Sequence, residues 1–175
     1  RKHGGEWLLA FEEPESLKER LEKFGLPPLP PYIKRNNASE IQNAEDRERY
    51  QTCFASKPGA IAAPTAGLHF TPEILDSISS RGVEIIEVTL HVGLGTFKPI
   101  EKEDIREHNM HSEYFSISSN SLSKLQSFKK SRRPIICLGT TSVRVLETLA
   151  QNNFENNSGW TDLFIYPPYN FSMVQ

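Results

Sequence analysis

The segment PPLPP (Pro27–Pro31) constrains this chain more than any other stretch. Prolines at four of its five positions remove backbone N–H donors and fix φ near −65°. Neither a helix interior nor a central strand tolerates that, so the segment is expected to be extended and to mark a linker or domain boundary. Ahead of it, EWLLAF reads as a short strand. Leu17, Leu21 and Phe24 then recur at helical spacing, with Gly25 placed to end the helix.

Beyond the prolines the pattern changes. NAEDRERYQTCFA reads as a charged helix with Tyr50 and Phe54 on one face, and GAIAAP as a short apolar strand. Thr71, Pro72 and Glu73 form a helix start: a hydroxyl cap, a proline at the first position and an acid against the dipole. Ile74, Leu75 and Ile78 supply its buried stripe, and Gly82 ends it. VEIIEVTLHV, rich in β-branched residues, carries the strongest strand signal. Leu122, Leu125 and Phe128 mark a helix, PIICLG an apolar strand, SVRVLETLAQ another helix, NNSG a turn and DLFIYP a last strand. Strands alternating with helices from Gly59 onward predict an α/β fold with a mixed, largely parallel sheet.

Composition narrows the function classes. The 175 residues amount to about one domain, with 37% hydrophobic and 24% charged residues, as in an ordinary globular protein. No apolar run approaches the roughly 20 residues of a membrane span. The first residues do not read as a signal peptide, and Cys53 and Cys137 make no disulfide framework, so a cytoplasmic location is expected. Because the chain opens on Arg1 and stops at FSMVQ, it is read as a fragment. A net charge of −2 provides no global attraction for nucleic acid. Only Lys129, Lys130, Arg132 and Arg133, in KKSRR, form a dense basic cluster, which a solvated loop explains as well.

Four stretches carry chemistry. In HVGLGTFKP, Gly93 and Gly95 begin a dinucleotide fingerprint, but Lys98 and Pro99 occupy the place of the third glycine and the helix start. What remains is a loop open to close backbone approach, flanked by His91 and Thr96; a plain turn fits as well as a ligand loop. In PTAGLHF, Thr65 offers a hydroxyl and Gly67 a turn, while His69 suits either a ligand contact or a structural hydrogen bond. In GTTSVR, Thr140, Thr141 and Ser142 open a helix whose amides attract anions, with Arg144 adding charge; ordinary hydroxyl capping is the alternative. In EHNMHSEYF, His108 and His111 stand between Glu107 and Glu113. Metal binding, acid–base work and structural roles all remain open there, although the metalloprotease spacing is absent. Four of the five histidines lie between His69 and His111, and imidazole is the side chain best matched to proton transfer at neutral pH. The residues by themselves thus describe an enzyme with a proton-transfer site and an anion cradle.

Taken together and in order, DRERYQTCFASKPGAIAAPTAGLHFT, VTLHVGLGTFKPI, HNMHSEYF, GTTSVRVLE and LFIYPPYNF resemble the S-adenosylmethionine:tRNA ribosyltransferase-isomerase family of queuosine biosynthesis. The preceding GLPPLPPYIKR is similar as well, so the resemblance covers roughly residues 25–175. It implies transfer and isomerisation of the ribosyl part of S-adenosylmethionine onto the aminomethyl nitrogen of a 7-deazaguanine at the tRNA wobble position. Epoxyqueuosine forms, and adenine and methionine leave. The implied fold is a mixed α/β core with an inserted small β-barrel. Residues 1–26 would then be the barrel's tail and exit helix, and 27–175 an incomplete catalytic core.

The resemblance also implies roles. His91 is the first choice for the base that deprotonates the 5′ carbon, with His108 or His111 behind it, and Glu113 would accept the amine's proton. Thr65, Gly67, His69, Gly93, Gly95, Thr96, Thr140 and Thr141 would contact ribose or methionine, and Arg144 the carboxylate. Phe97 or Tyr169 would stack on a purine, and the basic cluster would contact tRNA phosphates. No metal and no cofactor beyond S-adenosylmethionine is expected, and a monomer is expected. The chain departs from the family at Pro168, where glycine is usual, and it lacks the family's further Thr-Asn-Phe-His-Leu-Pro motif. Two rival readings are a histidine-site metal-dependent hydrolase, such as a phosphoesterase, and a non-catalytic RNA-binding module. Against the latter, no strand motif of exposed aromatic and basic residues is evident in the sequence.

Overall fold

The computed structural model describes residues 2–3, 6–7, 9–12, 16–35, 39–100 and 102–174. Two short strands, β1 (Lys2–His3) and β2 (Glu6–Trp7), pair antiparallel. Of the expected EWLLAF strand, only Glu6 and Trp7 are in β2; Leu8 lies outside the described residues, and Leu9–Phe11 are not in a strand. Helix α1 (Leu17–Phe24) follows, as the leucine spacing predicts. The proline segment runs extended into a turn, with Ile33 donating to the Pro30 carbonyl at 2.9 Å. Arg47 ties it down by donating to the carbonyls of Glu22 and Gly25.

Helix α2 spans Glu40–Arg49, capped by the Ser39 hydroxyl. It ends earlier than expected: Tyr50 is its C-cap and Phe54 lies in a turn, so the two do not share a helical face. Helix α3 (Pro72–Ser80) starts as the capping signal predicts, with Ile74 N–H donating to Thr71 Oγ1. Helices α4 (Ser119–Lys130) and α5 (Gly139–Gln151) complete the α-helices among the described residues.

The sheet corrects the sequence reading. Strands β3 (Val88–His91), β4 (Glu113–Ile117) and β5 (Ser158–Thr161) form a three-stranded sheet in that order, antiparallel throughout. A largely parallel core is therefore not observed. The runs GAIAAP, PIICLG and DLFIYP contain no strand residues among those described, and only the end of VEIIEVTLHV is in a ladder. Apolar content marks a tendency to be buried, whereas strand assignment requires a partner for the backbone; those runs have no ladder here. Conversely β5, sequence SGWT, has little strand character of its own. It forms because β4 offers an edge, with Gly159 opposite Phe115 in the register.

One face of the sheet builds the core. Leu90, Phe115 and Ile117 pack with Leu125 of α4 and with Val145, Leu146, Leu149 and Ala150 of α5. Phe154 and Met173 close the cluster. Every residue of α5 from Arg144 to Ala150 is buried, so this helix runs through the centre rather than over the surface.

Candidate functional site

The C-terminal end of β3 and the N-terminal end of β4 lie at the same edge of the sheet, beside the end of β5, because His91 pairs with Tyr114 and Glu113 with Thr161. The loops that follow His91, precede Glu113 and follow Thr161 therefore emerge together. Their junction is a buried ion pair. Glu113 Oε2 accepts from Arg144 Nη1 at 2.5 Å, with side chains only 5% and 9% exposed. Glu113 Oε1 accepts from the Gly93 amide at 2.8 Å, fixing the glycine loop. Arg144 Nη2 donates to the carbonyls of His111 and Thr161, each at 2.9 Å. Four of the stretches picked out from the sequence or placed by the fold are thereby held by one pair of charges.

In the structure Glu113 and Arg144 are each other's partners. Both are paired internally: the carboxylate already accepts two hydrogen bonds, and both terminal nitrogens of the guanidinium are engaged. Burial lowers the Arg144 pKa, while the charges of Glu113 and Asp162 act against that shift. Within the pair, Arg144 Nε is buried and has no hydrogen-bond partner among the described residues.

The glycine loop folds as a 3₁₀ turn, Leu94–Phe97. Gly95 is required there by close approach: a Cβ would stand 2.1 Å from the His111 ring. His111 itself is exposed, as are Thr96 and His69, while Phe97 is half-buried. His91 is held between Tyr114, with ring centroids 6.0 Å apart, and Gly59. Gly59 has φ +137°, and a Cβ would lie 2.5 Å from His91 Nδ1, so glycine is demanded twice over. That Nδ1 is buried with no hydrogen-bond partner among the described residues. His108 packs edge-on to Phe164 with centroids 5.0 Å apart.

The PTAGLHF stretch is a second 3₁₀ turn, Thr65–His69, packed on the start of α5, where Ala66 approaches Gly139. Thr65 is exposed and Gly67 buried. Thr140 and Thr141 do not cap α5 as expected. Its N-cap is Leu138, no side chain caps it, and Ser142 Oγ instead donates back to the Leu138 carbonyl at 3.0 Å.

Sequence reasoning missed Glu147. Fully buried, its carboxylate accepts backbone N–H bonds from Ser172 (2.9 Å), Met173 (2.8 Å) and Val174 (3.2 Å). It also accepts a long bond from the Tyr169 hydroxyl at 3.4 Å. The Tyr169 pKa is raised, chiefly by burial and then by the Glu147 charge. Also missed was the buried pair of hydroxyls Thr148 and Thr161, 2.6 Å apart. The available signal for Glu147 was a second charged residue three positions after Arg144, between Leu146 and Thr148 in the stretch RVLETLA.

The basic cluster lies elsewhere. Lys129 sits over the Phe154 ring, just past the end of α5 opposite to Arg144, on the order of 10 Å away along the helix axis. Arg133 covers Phe128. A cleft of about 400 Å³ lies between the proline segment and α2, lined by Leu26, Pro27, Leu29, Ile33, Arg35, Asn43 and Asp46, none of them expected as site residues. Arg35 and Asp46 pair there through two bonds of 2.8 and 2.7 Å. Among the described residues no three His, Cys, Asp or Glu side chains are grouped to hold a metal ion. Nor is any helix among them long and apolar enough to cross a membrane.

The chain is 49% identical over 160 residues to an S-adenosylmethionine:tRNA ribosyltransferase-isomerase of Sulfurihydrogenibium sp. (strain YO3AOP1), covering 91% of the chain and 46% of that protein. Proteins of the same name from Finegoldia magna and Acetivibrio thermocellus are 46% and 48% identical, each over 97% of the chain and 48% of their own length. The chain thus spans about half the length of these relatives. The model of the family described as queuosine biosynthesis protein matches residues 1–175. From its first residue to its last, the chain belongs to the queuosine biosynthesis protein family.

Proposed function

We propose that the protein containing this chain transfers and isomerises the ribosyl moiety of S-adenosylmethionine onto 7-aminomethyl-7-deazaguanine in tRNA, giving epoxyqueuosine. Substrates, activity and a cytoplasmic, monomeric state all belong to this reading, as does residues 27–175 being part of the catalytic core. The observation that carries it is the Glu113–Arg144 pair, which gathers the Gly93 loop, His111 and Thr161 at one end of the sheet. Likeness to relatives that bear the activity in their names supports the chemistry.

In this reading His91 is the base that removes the proton from the 5′ carbon beside the sulfonium. Its ring is held in place by Gly59 and Tyr114, with Nδ1 buried against Gly59 and without a hydrogen-bond partner among the described residues. His111, exposed above Gly95, and His108 stand behind it as alternatives for the base. The Gly93–Gly95 backbone, Thr65, Thr96, Thr140 and Thr141 contact ribose and methionine. The side-chain-uncapped start of α5 faces the methionine carboxylate. Phe97 or Tyr169 stacks on adenine. Glu113 and Arg144 hold these loops rather than the substrate, and no metal is invoked. Lys129, Lys130, Arg132 and Arg133 contact tRNA phosphates away from the reacting base.

The test is His91→Ala in the full-length protein. Turnover of tRNA with S-adenosylmethionine is expected to fall at least ~10²-fold while the circular dichroism spectrum is unchanged. Wild-type turnover removes His91 from the mechanism.

A further inference from the structure

The run GAIAAP, apolar in sequence and without a ladder in the fold, has an occupation that the proposed chemistry leaves unassigned. It begins at Gly59 and lies along the end of β3, where the Ile61 amide donates to the Val92 carbonyl at 3.0 Å, one residue past His91. The backbone of Gly59 is laid against one edge of the imidazole. A Cβ at that position would stand 2.5 Å from Nδ1 and 2.7 Å from Cε1 of His91. Ordinary contact between such atoms is about 3.5–4.0 Å, so only a residue without a side chain fits.

The ring is thereby closed on two sides. Tyr114, its partner across the β3–β4 ladder, stacks on one face at 20° with centroids 6.0 Å apart. Gly59 covers the edge that carries Nδ1 and Cε1. Of the two ring nitrogens, Nδ1 alone is buried without a partner among the described residues. In a hydrogen-bonded catalytic histidine, a carboxylate or carbonyl at Nδ1 fixes the direction of the ring. Here packing takes the place of that bond, and the direction depends on residue 59 having no side chain.

We infer that His91 exchanges protons through Nε2 alone, and that Gly59 is the positioning residue that enforces this. The inference rests on the proposed role of His91 and deepens it. Proton transfer needs a donor or acceptor within about 2.6–3.2 Å, directly or through one water. Nδ1 faces the Gly59 backbone edge instead and has neither. The reacting carbon is therefore approached from the Nε2 side of the ring. The linear sequence conceals the arrangement, because Gly59 and His91 come from separate segments joined only by the Ile61–Val92 bond.

The experiment uses the full-length protein. In Gly59→Ala, ring and backbone must part by on the order of 1 Å to regain ordinary contact. A displacement of that size is expected to lower kcat about 10- to 100-fold, with the affinities for S-adenosylmethionine and tRNA unchanged. In a His91→Ala background the same substitution is expected to change nothing further, because its effect passes through that ring. Wild-type kcat in Gly59→Ala overturns the inference. So does an undiminished fall in the His91→Ala background, which leaves Gly59 a structural role only. Alanine is strained at φ +137°, and the wild-type protein supplies a second readout should the variant fail to fold. Brief carboxymethylation with iodoacetate, in which a ring nitrogen displaces iodide, is followed by chromatography of the His91 adduct against the two carboxymethylhistidine isomers. Only the Nε2 isomer is expected; an Nδ1 adduct, or none at His91, overturns the inference. Failure of the proposed role is separately visible: His91→Ala then turns over like the wild type, whatever the alkylation shows.

Discussion

Helices α1 and α5 are both amphipathic by their spacing, and they meet opposite fates. In α5, seven successive residues from Arg144 to Ala150 are buried. In α1 none is, and Leu21 and Phe24, the stripe that predicts the helix, are 60% and 71% exposed. Apolar spacing states that a face needs covering; it does not say by what. Helix α5 is enclosed by the sheet and by α4, and its two buried charges bind opposite parts of the chain. Arg144 holds the ends of the strands and Glu147 holds residues 172–174. Helix α1 is joined to the rest through Arg47 and the backbone carbonyls of Glu22 and Gly25. Burial and polar satisfaction therefore go together in one helix, and neither is achieved by the apolar stripe of the other.

That contrast can be broken by experiment, most strongly at the ion pair. Arg144→Met leaves Glu113 buried without its cation. In the full-length protein it is expected to cost about 3–5 kcal/mol in urea denaturation, with the double variant Glu113→Gln/Arg144→Met recovering a substantial part. A loss under 1 kcal/mol for the single variant means the pair is hydrated in solution. Next in size, Glu147→Gln places an NH₂ group where a backbone N–H must be accepted. About 1–3 kcal/mol should be lost, and amide exchange should quicken at residues 172–174 before it does at β3 or β4. Uniform acceleration would show that Glu147 supports the whole core rather than that segment. The smallest effect belongs to α1. Leu21→Ala is expected to shift the stability of the 175-residue chain by no more than about 0.5 kcal/mol. The same change in the full-length protein measures whatever covers that face, and an equal, small effect in both would leave the stripe without a partner.

Helices were legible from the sequence because their signals are local. Thr71 and Pro72 mark the start of α3, and Leu122 and Leu125 mark the core side of α4, without reference to any distant residue. Strands were legible only in part. Pro134–Leu138 looks like a strand and has no ladder, while Ser158–Thr161 does not look like one and has. A helix satisfies its own backbone, whereas a strand borrows partners from elsewhere in the chain. The candidate site shows the same division. Gly93, His91 and Arg144 stand out by residue type, but Glu147 passes for an ordinary helix position until its three amide donors are in place. Tyr114 and Trp160 form a row only through the register of β4 and β5.

By itself the sequence determined where the chain must turn, which segments are helical, and which residue types are available for proton transfer and anion binding. Those depend on φ restriction, capping and side-chain chemistry within a few residues. Tertiary structure alone decided that Glu113 and Arg144 neutralise each other, that the sheet is antiparallel, and which aromatic rings lie side by side. Such outcomes depend on which distant groups share a low-dielectric space, and spacing along the chain carries no record of that.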